Sequence, residues 1–351
     1  MVGVALKKDA WPAEETLAEL GRLAETAGAQ VVGKLIQKRD SPDPAFFIGK
    51  GKALEIKNLS LQQKANLIII DHEISPSQIR NLEEIINQKV IDRTELILDI
   101  FSQHALSKEG KIQVEMAQAQ YGLSRLTGKG IMMSRLGGGI GTRGPGETKL
   151  EVDRRKIRAK ISALNKELKK LEEQRSLRRQ MRRSSRVKVA ALIGYTNAGK
   201  STLMNALTHA DVLVQDKLFA TLDPTTRKFT TSFHHSPFTI LLTDTVGFIQ
   251  KLPHQLVDAF HATLEEVKET DLLIHVVDAS NPNFERQIEA VYQVLEEIGC
   301  ITKKIITVFN KIDKIGKLDK QLLKKYDPAV AISAAKKQGL DKLTIFLFKN
   351  I

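Results

Sequence analysis

At 351 residues and 42% hydrophobic content, the chain is long enough for two or three domains with packed cores. It carries no unbroken apolar stretch of membrane-spanning length and no secretory leader pattern, which predicts a cytoplasmic protein. A single cysteine, Cys300, excludes an internal disulfide, and the lack of a Cys/His cluster argues against structural zinc. The formal net charge of +13 points to a polyanionic partner.

The first 105 residues alternate strand-like and helix-like pieces. Met1 to Leu6, Val31 to Ile36, Phe46 to Ile48, Leu67 to Ile70 and Val90-Ile91 read as strands. Helices are expected over Ala13 to Ala27, from Gly49-Lys50-Gly51-Lys52 to about Ser60, and after Ser75-Pro76. A further one is expected over Arg93 to Ser107. The alternation predicts a small α/β domain over 1–105, its sheet mainly parallel. The loop Gly49 to Lys52 offers glycines, lysines and a helix start, but lacks the full spacing of a phosphate-binding loop. An ordinary tight turn or contact with an RNA backbone is the better reading there.

Ile112, Met116, Ala119, Leu123 and Leu126 are spaced 4, 3, 4, 3, and Ile157, Ile161, Leu164, Leu168 and Leu171 repeat that spacing. Two such seams predict an antiparallel coiled-coil hairpin over 106–186, with core packing on the sheet an alternative for the first helix. After Leu171 the seam fades into Arg175 and Arg178. Between Glu151 and Lys188 stand 15 Lys/Arg against 5 Asp/Glu, so most of the chain's excess charge sits here. This helix lacks a broad apolar face, so RNA suits it better than anionic lipid, with weak membrane-surface association the lesser alternative.

The hairpin tip, 128–149, holds eight of the 22 glycines between Gly128 and Gly146. Lys129, Arg135, Arg143 and Lys149 add charge without bulk. With Gly138, Gly139 and Gly144, they form a basic loop able to follow an RNA backbone into a crevice.

Gly194-Tyr195-Thr196-Asn197-Ala198-Gly199-Lys200-Ser201 fits the G-x-x-x-x-G-K-[ST] phosphate-binding loop, between a strand-like Val187 to Ile193 and a helical Ser201 to Leu207. Lys200 would neutralise the outer phosphates and the Ser201 hydroxyl would ligate Mg²⁺. Asp244-Thr245-Val246-Gly247 follows the strand-like Phe238 to Leu242; Asp244 would hold Mg²⁺ through water and the Gly247 N–H would meet the γ-phosphate. Asn310-Lys311-Ile312-Asp313 closes the apolar run Lys304 to Phe309. The Asp313 carboxylate can accept from guanine's ring N–H and amine, a donor pair adenine lacks. Lys311 can lie along the base, and Asn310 can tie this loop to the phosphate loop. Ser333-Ala334-Ala335 would bring backbone N–H groups to the guanine oxygen. Three motifs in this order define a GTPase domain over 187–351, with a mainly parallel sheet covered on both faces by helices.

The stretch from Gly137 to Glu151, followed by a basic helix and this GTPase domain, resembles the HflX family of ribosome-associated GTPases. Phe47 to Lys52, Ile74 to Gln78 and Asp92 to Phe101 match it as well, so the resemblance covers essentially the whole chain. It implies binding to the large ribosomal subunit near the peptidyl-transferase centre. It also implies GTP-dependent splitting of stalled or idle ribosomes under stress. Family members commonly continue into a small C-terminal domain, whose contacts are not carried over. A monomer is expected.

Phe219-Ala220-Thr221-Leu222-Asp223 should contain the threonine that completes Mg²⁺ coordination. The resemblance assigns Thr221; by position alone Thr225 and Thr226 stay open. Catalysis would then rest on Lys200, Thr221, Asp244 and Gly247. Phe248 stands where many GTPases carry a water-orienting glutamine, so intrinsic hydrolysis should be slow, with His254 and Thr245 as candidate helpers. Asn197 suggests K⁺ as a second cation beside the phosphates. Two alternatives remain: an RNA-remodelling NTPase with ATP bound near Gly49 to Lys52, or a GTP-gated binding module with little hydrolysis.

Overall fold

Four short strands near the amino terminus pair in parallel: β1 (Val2–Leu6), β2 (Leu35–Arg39), β3 (Leu67–Ile70) and β4 (Lys89–Asp92), in the order β2-β1-β3-β4. In this computed structural model the described residues are all but 8, 127–148, 185–186, 209–217, 220–221, 234–235, 252–265 and 317. Side chains at 149–150, 176, 178–184, 232–233 and 236–237 also lie outside the description. Two compact units result, one of Met1–Gln103 with Lys111–Lys170, the other of His104–Gly110, Leu171–Leu252 and Phe260–Ile351.

In the first unit, α1 (Ala13–Thr26) buries Leu17, Leu20, Leu23 and Ala24. The next helix is α2 (Lys50–Gln62). The expected strand at Val31 starts four residues later, because the register sets Leu35 opposite Val2. Phe46 to Ile48 is no strand. Asp43 Oδ1 accepts the N–H groups of Ala45 and Phe46 at 2.9 Å, and reciprocal backbone bonds join Asp43 to Phe47, closing a turn. An aspartate followed by proline starts such a turn, and this local chemistry outweighs the apolar run.

Helix α3 (Pro76–Ile86) opens on a capping box. Ser75 Oγ accepts the Gln78 N–H at 3.3 Å and Gln78 Oε1 accepts the Ser75 N–H at 2.9 Å, which together stabilise the helix start by about 1 kcal/mol. Helix α4 (Arg93–His104) stops short of the expected Ser107, and α5 (Lys108–Leu126) begins after a break at Ala105-Leu106.

Beyond the carboxyl ends of β3 and β4 lies a buried ionic group. The Arg93 guanidinium, 1% exposed, donates to Asp71 Oδ1 at 2.6 Å and to the Glu19 carboxylate. Asp92 accepts the Tyr121 hydroxyl at 2.6 Å, which fastens α5 to this sheet. Replacing Arg93 by methionine takes the guanidinium away from two buried carboxylates. We expect Arg93→Met to cost about 3–5 kcal/mol, read as a lower urea midpoint; an unchanged midpoint contradicts this.

Helix α6 (Lys149–Ser184) continues well past Leu171, where the seam fades. In the first unit Leu164 and Leu168 are buried, as are Ile112 and Met116 of α5, and Lys160 Nζ meets Glu115 at 2.7 Å. Both readings of α5 hold, since Gln113, Val114 and Ala117 are buried too, a wider face than a two-helix seam needs.

The second unit is built on a six-stranded sheet in the order β10-β9-β8-β5-β7-β6. Its strands are β5 (Lys188–Ile193), β6 (Thr225–Phe233), β7 (Ser236–Asp244), β8 (Leu272–Asp278), β9 (Ile305–Asn310) and β10 (Ala329–Ala331). All pair in parallel except β6 with β7. The helices named here are α7 (Lys200–Thr208), α8 (Phe284–Glu297), α9 (Lys320–Lys325) and α10 (Leu340–Asn350). Strands β5 and β8 are central and mostly apolar, with the buried His275 inside β8, as buried parallel strands should be. Among the described residues, no helix is long and apolar enough to cross a membrane.

Candidate nucleotide site

β5 ends at Ile193, the chain turns at Gly194 with φ 144°, and α7 starts at Lys200. At Gly194 a Cβ would overlap the Val276 carbonyl oxygen of β8, so glycine alone fits. The loop thus lies at the carboxyl ends of central strands, with the amino end of α7 facing the phosphate position.

Lys200 is buried, its Nζ donating to Gly194 O at 3.1 Å and Tyr195 O at 2.9 Å. Burial pulls its ammonium down to about 8, Asp244 opposes that shift and Lys311 adds to it. The nucleotide-free fold therefore disfavours the charged lysine, whereas phosphate requires it. Above pH 8 binding must take up a proton, so affinity for GTP should fall about tenfold between pH 7.5 and 9. Titrating a fluorescent GTP analogue across that range checks this, and a flat profile contradicts it.

Ser201 Oγ donates to Asp244 Oδ2 at 2.7 Å. Two hard oxygens beside the phosphate loop suit Mg²⁺, which takes few protein ligands and completes its shell with phosphate oxygens and water. Thr245, weighed as a catalytic helper, is committed elsewhere: its buried hydroxyl donates to Leu192 O at 2.7 Å. Val246 is buried. Gly247 packs so closely that a Cβ would stand 2.7 Å from Thr196 Cα and 2.9 Å from Lys200 Nζ. Phe248 is buried, and its backbone joins the phosphate loop: its N–H donates to Gly194 O at 3.1 Å and its carbonyl accepts the Thr196 N–H at 2.7 Å. Tyr195, whose hydroxyl accepts the Gln250 N–H at 2.7 Å, extends this seam.

Asn310 joins three loops. Its Nδ2 donates to Ala198 O and its Oδ1 accepts the Ala334 N–H, both at 2.9 Å. A guanine oxygen would therefore share the Ala334 amide or turn to Ala335. Lys311, with φ 63°, donates to Asn197 O and to Asp278 Oδ2, both at 2.7 Å. Ile312 opens a 3₁₀ turn, Ile312–Lys314. Asp313 Oδ1 accepts the Ser333 hydroxyl at 2.5 Å, and this bond is the first cause holding the carboxyl below its usual range. Asp278 was not picked out from sequence, although an aspartate ending a buried strand just before Ala279-Ser280 is a usable signal.

Leu218, Phe219 and Leu222 are buried. Thr226 pairs its hydroxyl with that of Thr243 at 3.0 Å across β6 and β7, and Thr225 stands in register with Asp244. Ala220, Thr221 and His254 lie outside the described residues, as do Lys129, Arg135, Gly138, Gly139, Arg143, Gly144 and the Lys149 side chain. In the first unit Lys50 is exposed and Lys52 pairs with Glu55 at 2.7 Å. A cavity of about 740 Å³ in that unit is lined by Met1, Leu35, Gln63 and Leu67, at the amino ends of its strands, away from Gly49–Lys52.

A parallel sheet, this phosphate loop, a paired serine and aspartate, and the Asn310 to Asp313 loop tied to it define a P-loop GTPase. Family profiles agree: "GTP-binding GTPase N-terminal" matches 14–102, "GTP-binding GTPase Middle Region" 104–182 and "50S ribosome-binding GTPase" 189–311. The chain is 53% identical over 330 residues to "GTPase HflX" of Caldanaerobacter subterraneus, covering 94% of this chain and 76% of that one. It is 46% identical to "GTPase HflX" of Escherichia coli over 85% of this chain and 69% of the other. A crystal structure titled as an SsGBP and GDP complex is similar with a TM-score of 0.51 and 26% identity, covering 99% of this chain and 97% of that one. The chain belongs to the HflX family of GTPases and hydrolyses GTP.

Proposed function

We propose that this GTPase is a switch that binds the large ribosomal subunit in its GTP state and splits stalled or idle ribosomes under stress. One observation carries the switch: the Gly247-Phe248 backbone lies zipped to Gly194 and Thr196, with Gly247 against Lys200. A γ-phosphate must take the place of that seam, so the segment has two alternative partners. Bound Mg²⁺ would neutralise the developing phosphate charge. Ser201 and Thr221 would ligate it, Asp244 would orient its water, and Lys200 would bind the outer phosphates. Phe248 has no group to orient the attacking water, so turnover is slow until the ribosome orders these segments. The basic tip at 128–149, with Lys129, Arg135, Gly138, Gly139, Arg143, Gly144 and Lys149, would follow ribosomal RNA near the peptidyl-transferase centre. Support for this partner comes from the ribosome-binding GTPase profile and from the chain's basic excess.

The test is GTP turnover with and without purified large subunits, at fixed salt in K⁺ buffer. Strong stimulation is expected; GTP-dependent binding without stimulation would instead indicate a gated binding module. A companion expectation concerns the cation. If K⁺ sits beside Asn197 and takes the part of an arginine finger, turnover in K⁺ should exceed that in Na⁺ by at least about tenfold. Equal rates remove the cation from the mechanism.

A further inference from the structure

Thr196, in the phosphate loop, is only 7% exposed, and its buried Oγ1 has no hydrogen-bond partner among the described residues. An unpaired buried hydroxyl is disfavoured, so this position calls for an acceptor. The neighbouring hydroxyls are committed. Ser201 donates to Asp244, Thr245 donates to Leu192 O, and Tyr195 accepts the Gln250 N–H. Packing accounts for the Thr196 methyl, since a Cβ at Gly247 would stand 2.7 Å from Thr196 Cγ2. A valine would fill that space equally, so packing leaves the hydroxyl unexplained. The same Cβ would stand 2.9 Å from Lys200 Nζ, so Thr196 and the phosphate-binding lysine border one space. The Thr196 N–H meanwhile donates to Phe248 O at 2.7 Å, one of the bonds of the seam itself.

We propose that Thr196 is the specificity residue by which this site tells GTP from GDP, its hydroxyl donating to an oxygen of the γ-phosphate. This rests on the reading that the γ-phosphate takes the place of the Gly247-Phe248 seam. A terminal phosphate beside Lys200 brings anionic acceptor oxygens into the space that Thr196 borders, and a hydroxyl bonds such oxygens strongly. GDP ends one phosphate short, so the seam stays closed and the hydroxyl stays unpaired. GTP alone gains this hydrogen bond and at the same time relieves an unpaired buried group.

The test uses the full chain and its Thr196→Val and Thr196→Ser variants. Affinities for GDP and for a non-hydrolysable GTP analogue are measured, with the urea midpoint and amide exchange over 194–197 and 246–249. Thr196→Val should weaken the analogue about tenfold, the order expected for one hydrogen bond to a charged group, and keep GDP affinity within about twofold. Thr196→Ser should bring the analogue back to within about threefold of the wild type. Because valine removes an unpaired hydroxyl, the nucleotide-free urea midpoint should not fall. A fall would assign the hydroxyl to the fold and overturn the proposal. In the wild type, exchange over both segments should rise when the analogue replaces GDP. If it rises and Thr196→Val keeps the wild-type ratio of the two affinities, Thr196 does not read the γ-phosphate, although the seam reading stands. A serine variant as weak as the valine variant assigns the loss to side-chain shape and also overturns the proposal. Exchange that is the same with both nucleotides overturns the seam reading and this inference with it.

Discussion

Asp313→Asn should lower kcat/KM for GTP by about 10³-fold or more, while making a xanthine nucleotide a better substrate than it is for the wild type. Guanine presents a ring N–H and an amine side by side, and a carboxylate accepts from both. The Ser333 hydroxyl donates to Asp313 Oδ1 and favours the anionic form, leaving the other oxygen for the base. An asparagine keeps one acceptor and sets an NH₂ against guanine's amine, so two donors face each other and one is stranded. Xanthine carries a carbonyl in place of that amine and would accept from the new side chain. The measurement is kcat/KM for the two nucleotides with each protein. Unchanged GTP specificity would mean that Asp313 does not read the base.

Lys200→Ala should reduce kcat for GTP by about 10²–10³-fold, with a smaller loss in GDP affinity. The ammonium is held by Gly194 O and Tyr195 O, pointing to where the outer phosphates would lie. Charge accumulates there as the γ-phosphoryl group leaves, and a dry cation is worth more in the transition state than in the ground state. Burial disfavours its charge in the nucleotide-free fold, so removing the ammonium should cost the fold little. Circular dichroism of the variant should match the wild type. Equal effects on GDP affinity and kcat/KM would instead assign Lys200 to uniform phosphate binding.

The chemistry of this chain was legible where it is local. The loop from Gly194 to Ser201 needs its residues at fixed offsets, because backbone amides, a lysine and a hydroxyl must meet one phosphate group. Ser75-Pro76 likewise announced its own helix start, while the reciprocal bonds to Gln78 emerged from the structure. What escaped was set by pairing across the chain. Thr225–Phe233 carries too weak an alternation to declare a strand, and becomes β6 only because β7 lies alongside it. Asp278 was not picked out, because its part in holding Lys311 depends on a residue 33 positions later. The group of Arg93, Glu19 and Asp71 gave no signal, since those residues meet only when three separate elements close. Periodicity did find the α5 and α6 seam, but not the extra face that α5 turns to the sheet.

The break between α4 and α5, where the Leu106 and Ser107 N–H groups donate to Asp223 Oδ2, also bears on the order in which the chain is made. The first sheet uses strands no further along than Asp92, joined by short helical crossovers, so its pairing can begin while later residues are still being synthesised. Ser107 emerges soon afterwards, but the carboxylate that holds it is 116 residues away. For that interval the growing polypeptide carries a paired first sheet followed by a stretch whose partner does not yet exist. Completion of the Asp223 contact is thus a late event in biogenesis, and a nascent chain halted before Asp223 would lack it.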